Sequence, residues 1–547
     1  MDLKEYFVYE DITKSQKDFL DKILDLGINF IEGSSRYNKV INYKPVEDLV
    51  SMFEQEIPED GQSLDSLYKD LKEKVVPYSI SQHDQRYLSF PDTGNSIAGL
   101  GGDILGNFLN QNLIAVDRSA PAGSVIEAQL ILWLRRLIGY QSYSLSELPN
   151  MENLGGMWTS GGNMSNHIAI LTALHNKFPE IKKDGLAALN YTPAIIVAKG
   201  VDHFSFKSAA QVLGLGEKGV LWADADENFT SNIDSIENIL KNKDPEVKPF
   251  MVVAVAGNCR TTSIDDINAL RKLCDKYNIW LHVDACHGGS LLFSDQLNKL
   301  VEGIEESDSV SLDPHKGLFV TYASSYVLFK DAKHLASFAR YQEQVQEKNV
   351  FDLGLITPFY GSRGFNSLKL WMLIKHMGIN GLKVAIEERH KIYQSIHRDL
   401  DETNLFVFFN DPTFYRSAFI FLPLDLIDKY FRKIERKEWL ISLVNKYTKK
   451  FCQTLYESGE VVFDLFSLQD LNNKVGLGSM QKYTTIGLAV GHPIMSSENK
   501  NRTLYLVKKL GETLKQDMED ELENYNETEI YKEYKKPKVE IESPASW

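Results

Sequence analysis

An α/β fold with a mostly parallel central sheet is what this sequence predicts, and three observations predict it. Four short runs rich in apolar and β-branched residues, 194–198, 251–256, 280–283 and 310–312, are each bounded by Gly, Pro or charge. Helical patterns lie between them, as over 265–277. The runs are apolar throughout rather than alternating, the mark of strands covered on both faces, and the intervening helices supply the cover. In such sheets ligands settle outside the carboxyl ends of the strands. This chain puts its least ordinary residues there: Asp284 closes one apolar run and Lys316 follows another.

The remaining elements follow in chain order. Up to about Tyr78 the sequence reads as charged amphipathic helices, punctuated by Pro58, Gly61 and Pro77. A Gly-rich passage, 94–106, follows. Over 124–138, Val125, Ile126, Leu130, Trp133, Leu134 and Leu137 share one helical face, and Gly139 ends the pattern. Beyond about Lys375 the helices become longer and more charged, with strands expected at 417–422 and 484–490. From Met518 the chain is dominated by Glu, Lys, Asn and Tyr. We therefore expect a helical N-terminal segment (1–90), a large domain (91–385), a smaller α+β C-terminal domain (386–517) and a charged tail (518–547). The tail is expected as a last solvated helix or as disorder.

Composition narrows the function classes. With 43% hydrophobic and 25% charged residues in 547, the chain is ordinary globular protein. A net charge of −15, from 75 acidic against 60 basic side chains, argues against nucleic-acid or anionic-membrane partners. It does not fix the sign of a local pocket. The N-terminus lacks a basic stretch followed by an apolar run, and no apolar run is long enough to span a bilayer. The four cysteines, Cys259, Cys274, Cys286 and Cys452, form no CxxC pair, so a cytoplasmic protein with free thiols is expected.

Four features carry chemistry. In Ser309-Val310-Ser311-Leu312-Asp313-Pro314-His315-Lys316-Gly317 a lysine sits behind a proline turn just past a buried strand; alone, it would be a surface loop lysine. In Ile279-Trp280-Leu281-His282-Val283-Asp284-Ala285 an aspartate ends an apolar strand; alone, it would be a helix cap. Pyridoxal phosphate needs both: a lysine for a Schiff base, and a carboxylate that keeps the pyridinium nitrogen protonated. The third feature, Thr159-Ser160-Gly161-Gly162-Asn163-Met164-Ser165-Asn166, is a Gly-rich turn opening a helix, where free N–H groups and the helix dipole can hold a phosphate. The fourth, Asp202-His203-Phe204, places a histidine after a strand, where its ring can stack on a flat cofactor.

Taken in this order, the features resemble the group II pyridoxal-phosphate-dependent amino-acid decarboxylases, over roughly 78–378. His282-Val283-Asp284-Ala285 and Asp313-Pro314-His315-Lys316 are the most specific parts, with 32 residues separating Asp284 from Lys316. Gly361-Ser362-Arg363-Gly364 with Leu368-Lys369-Leu370-Trp371, and Asn110-Gln111-Asn112-Leu113 with Ala120-Pro121-Ala122 and Glu127, are also similar to the family. The resemblance implies the fold type I architecture of pyridoxal-phosphate-dependent transferases and pyridoxal 5′-phosphate as cofactor, with no metal. It implies that Lys316 carries the Schiff base, Asp284 pairs with the pyridinium, and His203 stacks on the ring near the substrate carboxylate. Gly161, Gly162 and Asn163 then form the phosphate turn, with Cys259, Asp313 and His315 around the cofactor. A homodimer is implied, with a loop from the partner subunit delivering a proton; that loop falls within 340–358, where Tyr341 is a candidate donor. Three positions depart from the family: Cys259 stands for a common threonine, Asp313 for asparagine in some members, and His287 for Tyr or Trp in many.

The implied activity is decarboxylation of an L-amino acid to its amine and CO2. Rival readings are another reaction of the same cofactor (transamination, aldehyde formation or carbon–carbon cleavage), a metal-dependent hydrolase using His282, Asp284, Cys286 and His287, and an inactive relative serving as a scaffold. The pocket mouth is expected to include 89–93 and 113–118. Phe90 and Leu113 there are apolar, but Asp92, Asp117 and Arg118 favour a polar or charged amino acid over a tryptophan-like one, unless those charges pair with each other.

Overall fold

The computed structural model describes residues 6–8, 12–33, 38–242, 244–338, 349–411 and 413–525. Twelve strands among them form two sheets. In chain order they are β1 (Tyr87–Leu88), β2 (Gly156–Thr159), β3 (Thr192–Ala198), β4 (Val220–Ala223), β5 (Val247–Val255), β6 (Trp280–Ala285), β7 (Ser309–Leu312), β8 (Ser325–Phe329), β9 (Phe406–Phe408), β10 (Arg416–Phe421), β11 (Val462–Gln469) and β12 (Lys482–Ala489).

The larger sheet has the order β2-β8-β7-β6-β5-β3-β4. Its neighbours pair in parallel except at β8, which runs against both β2 and β7. Every residue of β6, β7 and β8 is buried, as expected of strands covered on both faces. Register brings Val255, Asp284 and Ser311 side by side at the carboxyl ends of β5, β6 and β7. All four expected strands are present; β3, β6 and β7 extend beyond their apolar runs, and β5 starts earlier than its run but ends at Val255, one residue short of it. Helix starts are set by local chemistry. The helix expected from 124 begins at Pro121, whose fixed φ suits the first turn, and ends at Gly139 with φ 97°. Ile267–Tyr277 starts after Asp266, whose side chain accepts from Ala269 N (2.9 Å).

The smaller sheet has the order β1-β11-β12-β10-β9 and is antiparallel except between β1 and β11. Helices Lys437–Ser458 and Ser497–Glu523 pack on it around Phe406, Phe419, Phe421 and Phe451. The N-terminal segment thus reaches into this sheet through β1. The boundary expected at 385/386 lies inside the helix Leu368–Asp401, whose interior departs from helical geometry at Gly378 (φ 62°). Met518 and Leu522, at the start of the expected tail, are buried in the last helix; residues 526–547 lie outside the described ones. No helix among the described residues is long and apolar enough to cross a membrane.

Candidate active site

Asp284 ends β6 and is almost wholly buried. Both of its oxygens are held: Cys286 N donates to Oδ1 (3.1 Å) and Asn166 Nδ2 to Oδ2 (2.9 Å). Asn166 lies in the second turn of helix Gly162–Lys177. Its own Oδ1 accepts from the Ser311 hydroxyl (2.8 Å) and lies 3.0 Å from His282 Nε2. His282 sits two residues before Asp284, and strand alternation places both on one face of β6. Its Nδ1 meets the Ser309 hydroxyl (2.8 Å), to which Trp280 Nε1 also donates (2.9 Å). Burial lowers His282 to about 4, against the opposing pull of Asp284 and Ser309, so the ring is neutral at physiological pH. One tautomer satisfies the row: Ser309 O–H donates to Nδ1, and Nε2–H donates to Asn166. Both ring nitrogens are thereby engaged.

Lys316 follows β7 on the short turn Pro314–Gly317. Its Nζ lies 2.9 Å from Asp313 Oδ2, and the Asp313 side chain is only 1% exposed. Burial opposes the Lys316 charge, but Asp313, Cys286 and Asp92 together outweigh it and hold the ammonium well above the usual lysine range. Burial likewise works against the Asp313 charge, and Lys316, His315 and Ser325 together reverse that, leaving the carboxyl below its ordinary value. His315 donates from Nδ1 to Ser324 O (2.8 Å) and packs on Tyr322 with centroids 4.4 Å apart.

Gly162 opens its helix directly beside these groups. A methyl there would lie 2.4 Å from Cys286 Sγ and 2.7 Å from Asp313 Oδ2, so only glycine lets the helix N-terminus approach the ends of β6 and β7. Gly161 precedes the helix in extended backbone (φ 175°), and Asn163 stands exposed in its first turn. His203 follows β3, half-buried, with Nδ1 accepting from Ser205 N (3.3 Å). Burial, then the charge of Lys316, lowers it to about 4 despite Asp284. A single cavity is lined by Gly162, Asn166, His203, Cys259, Asp284, Cys286, His287 and Lys316.

The family model of the pyridoxal-dependent decarboxylase conserved domain matches residues 46–420. The chain belongs to this family. It is a pyridoxal-phosphate-dependent amino-acid decarboxylase, a carboxy-lyase of fold type I. It is 28% identical over 409 residues to cysteine sulfinic acid decarboxylase of Mus musculus, covering 73% of this chain and 79% of that one. It is 25% identical over 492 residues to L-2,4-diaminobutyrate decarboxylase of Acinetobacter baumannii, covering 86% and 88%. The crystal structure of mouse CSAD superposes with a TM-score of 0.80 at 23% identity, over 90% of this chain and 98% of that one.

The residues present suit the family's cofactor. The approach that Gly162 permits leaves the first N–H groups of a 16-residue helix facing the cavity. A buried carboxylate and a lysine stand across from it. Sequence reasoning did not assign a role to Asn166, or find the residues behind His287. His287 shares a hydrogen bond with the Tyr415 hydroxyl, and Tyr415 lies under the Arg389 guanidinium (4.7 Å). Arg416 also escaped notice: it pairs with Asp464 and donates to the carbonyls of Ser89 and Arg260 (both 3.3 Å). Tyr415 lies 128 residues from His287, and Ser89 and Arg260 lie 327 and 156 residues from Arg416, where no local pattern links them. At the expected pocket mouth, Asp92 and Leu113 are buried while Phe90 is half-exposed. Asp117 and Arg118 are exposed and form no ion pair among the described residues. Tyr341 lies outside the described residues.

Proposed function

We propose that Lys316 holds pyridoxal phosphate as a Schiff base and Asp284 pairs with its ring nitrogen. His203 lies on the ring face, and the backbone N–H groups of Gly161, Gly162 and Asn163 hold the phosphate. Cys259, Asp313 and His315 complete the surround. The observation that carries this reading is the meeting of Lys316, Asp284 and His203 with one helix N-terminus around a single cavity. When bound, the cofactor supplies a sink for the electrons left on the substrate Cα as CO2 departs. The chain's own residues do the rest. Asn166 and Cys286 N fix both oxygens of Asp284, so the carboxylate needs little rearrangement as charge develops. Asp313 holds the Lys316 ammonium by charge and so positions its Nζ at the cavity. The neutral His203 offers a flat face without adding positive charge beside the ring.

The test is covalent. Borohydride treatment of the yellow holoenzyme should fix a pyridoxyl group on the peptide containing Lys316; a label found elsewhere would refute the assignment. Amine plus CO2 as products, rather than aldehyde plus ammonia, separates decarboxylation from aldehyde formation.

The same reading extends to a homodimer in the cytoplasm. Ile97, Leu105, Phe108 and Leu109 project, largely exposed, from helix Ile97–Leu109, an apolar surface that a second copy would cover. Four unpaired cysteines agree with a reducing compartment. For the substrate we propose a polar or charged L-amino acid. The relatives above are named for side chains of opposite charge, so similarity alone does not choose the sign.

A further inference from the structure

We infer that Asp92 recognises the substrate's side chain, and that this side chain ends in a cation. The inference rests on the reading of Lys316 given above and adds the sign of the charge.

Asp92 lies in the loop between β1 and helix Ile97–Leu109, and that loop is fixed in place. Ser96 N donates to Phe319 O (3.0 Å), two residues beyond the turn that carries Lys316. On the other side a methyl on Gly491 would meet Thr93 Cγ2 at 2.7 Å and Pro91 O at 2.8 Å. The loop is therefore wedged between the Lys316 segment and the end of the smaller sheet. Asp92 is 7% exposed. Burial raises the Asp92 carboxyl above its ordinary value, against the charges of Lys316 and His315, so a cation brought beside it would favour the carboxylate. Its Oδ1 is buried with no hydrogen-bond partner. A buried carboxylate oxygen without a donor is costly, and a ligand that brings a donor removes the cost.

The cations nearby point the same way, because each has protein acceptors already. Arg416 is paired with Asp464 and two carbonyls. Arg389 donates to Gly317 O and Ser290 Oγ. Arg363 is paired with Glu127, and Lys369 with Asp103. Arg260 donates to the carbonyls of Gly200 and Asp202. Lys316 is held by Asp313 and taken up by the cofactor. A carboxylate or sulfinate side chain would thus meet Asp92 with none of these cations free of a protein acceptor to offset it; Arg118, exposed and unpaired among the described residues at the expected mouth, is the exception. An ammonium would meet a carboxylate oxygen that lacks a donor.

Binding to the holoenzyme tests this without turnover. Calorimetry would compare 1,3-diaminopropane, 1,4-diaminobutane and 1,5-diaminopentane with the corresponding n-alkylamines. At least one diamine should bind tenfold or more tightly than its monoamine. Asp92→Asn should bring that ratio to within about threefold, and Asp92→Glu should restore part of it, a rescue that a merely structural role would not give. In CO2-release assays, L-2,4-diaminobutyrate, ornithine or lysine should be preferred over aspartate, glutamate and cysteine sulfinate, and the preference should fall with Asp92→Asn. Equal binding of diamines and monoamines, or a ratio unchanged in Asp92→Asn, would overturn the inference. So would preference for an acidic substrate, while the Lys316 reading stands. A holoenzyme that takes no borohydride label on Lys316 defeats that reading itself, and the inference with it.

Discussion

The two sheets of this protein both bury a core but use the burial differently. At the carboxyl end of the larger sheet, β6 and β7 contribute His282, Asp284, Ser309 and Ser311, all buried and joined through Asn166. In the smaller sheet the comparable interior is aromatic: Phe421 stacks on Phe451 at 5.5 Å with planes 12° apart, and Phe406 meets Phe451 edge-on at 5.4 Å. In the first, low polarity sets protonation states, as the depression of His282 shows. In the second, it holds the domain together. Substitutions in the two sheets should therefore separate chemistry from stability.

The largest separation is expected at Lys316. Lys316→Ala should abolish the borohydride-fixed pyridoxyl label and reduce turnover to background in the molecules that remain folded. Substantial turnover in the variant would break the contrast at its strongest point. The converse is Phe451→Ala, which removes a fully buried ring from helix Lys437–Ser458. It should cost about 3–5 kcal/mol in denaturant unfolding, with near-normal kcat in the molecules that remain folded. Asp284→Asn comes next. Loss of the ring-nitrogen partner should lower kcat by roughly 10²–10³-fold, with a smaller loss in unfolding of about 1–3 kcal/mol, because Asn keeps one acceptor for Cys286 N but turns a donor toward Asn166 Nδ2. If the unfolding midpoint falls as steeply as turnover, Asp284 belongs to the structural half of the comparison.

Much of the larger sheet was legible in sequence because its strands are continuous apolar runs, and a run such as 280–283 needs no long-range information to be read. Lys316, Asp284, His203 and Gly162, which line one cavity, were legible as candidates for a related reason: each follows a strand or opens a helix, where an odd residue stands out. β8 was missed, although its five residues are all buried, because nothing in an apolar run states its direction. β1 is two residues long and depends on β11, which lies more than 370 residues later. Asn166 was visible as part of a Gly-rich motif, but its place between His282 and Asp284 depends on a helix and a strand more than a hundred residues apart. Asp92 could be named as a charge near the pocket mouth; that it is buried with a partnerless oxygen is set by Gly491 and Phe319, both remote from it in sequence.

The smallest effect tests whether the polar row in the larger sheet does set protonation. His282 is fully buried and its folded-state value is lowered from 6.5 to about 4, chiefly by burial. In the unfolded chain the ring takes up its proton as pH falls through about 6.5; in the folded protein it resists until about 4. Between these values the unfolded state binds more protons, so stability must fall as pH falls and be retained above about 6.5. The shift sets an upper bound of about 3 kcal/mol on the contribution, and other buried groups titrate in the same window. The measurement is therefore a difference: urea unfolding of wild type and of His282→Gln from pH 7 to pH 4. The wild-type curve should lose more stability over that range than the variant, by about 1–3 kcal/mol. Parallel curves would mean that the row Ser309–His282–Asn166–Asp284 leaves the histidine free to protonate in the folded state. The larger sheet would then differ from the smaller one in composition but not in what its burial does.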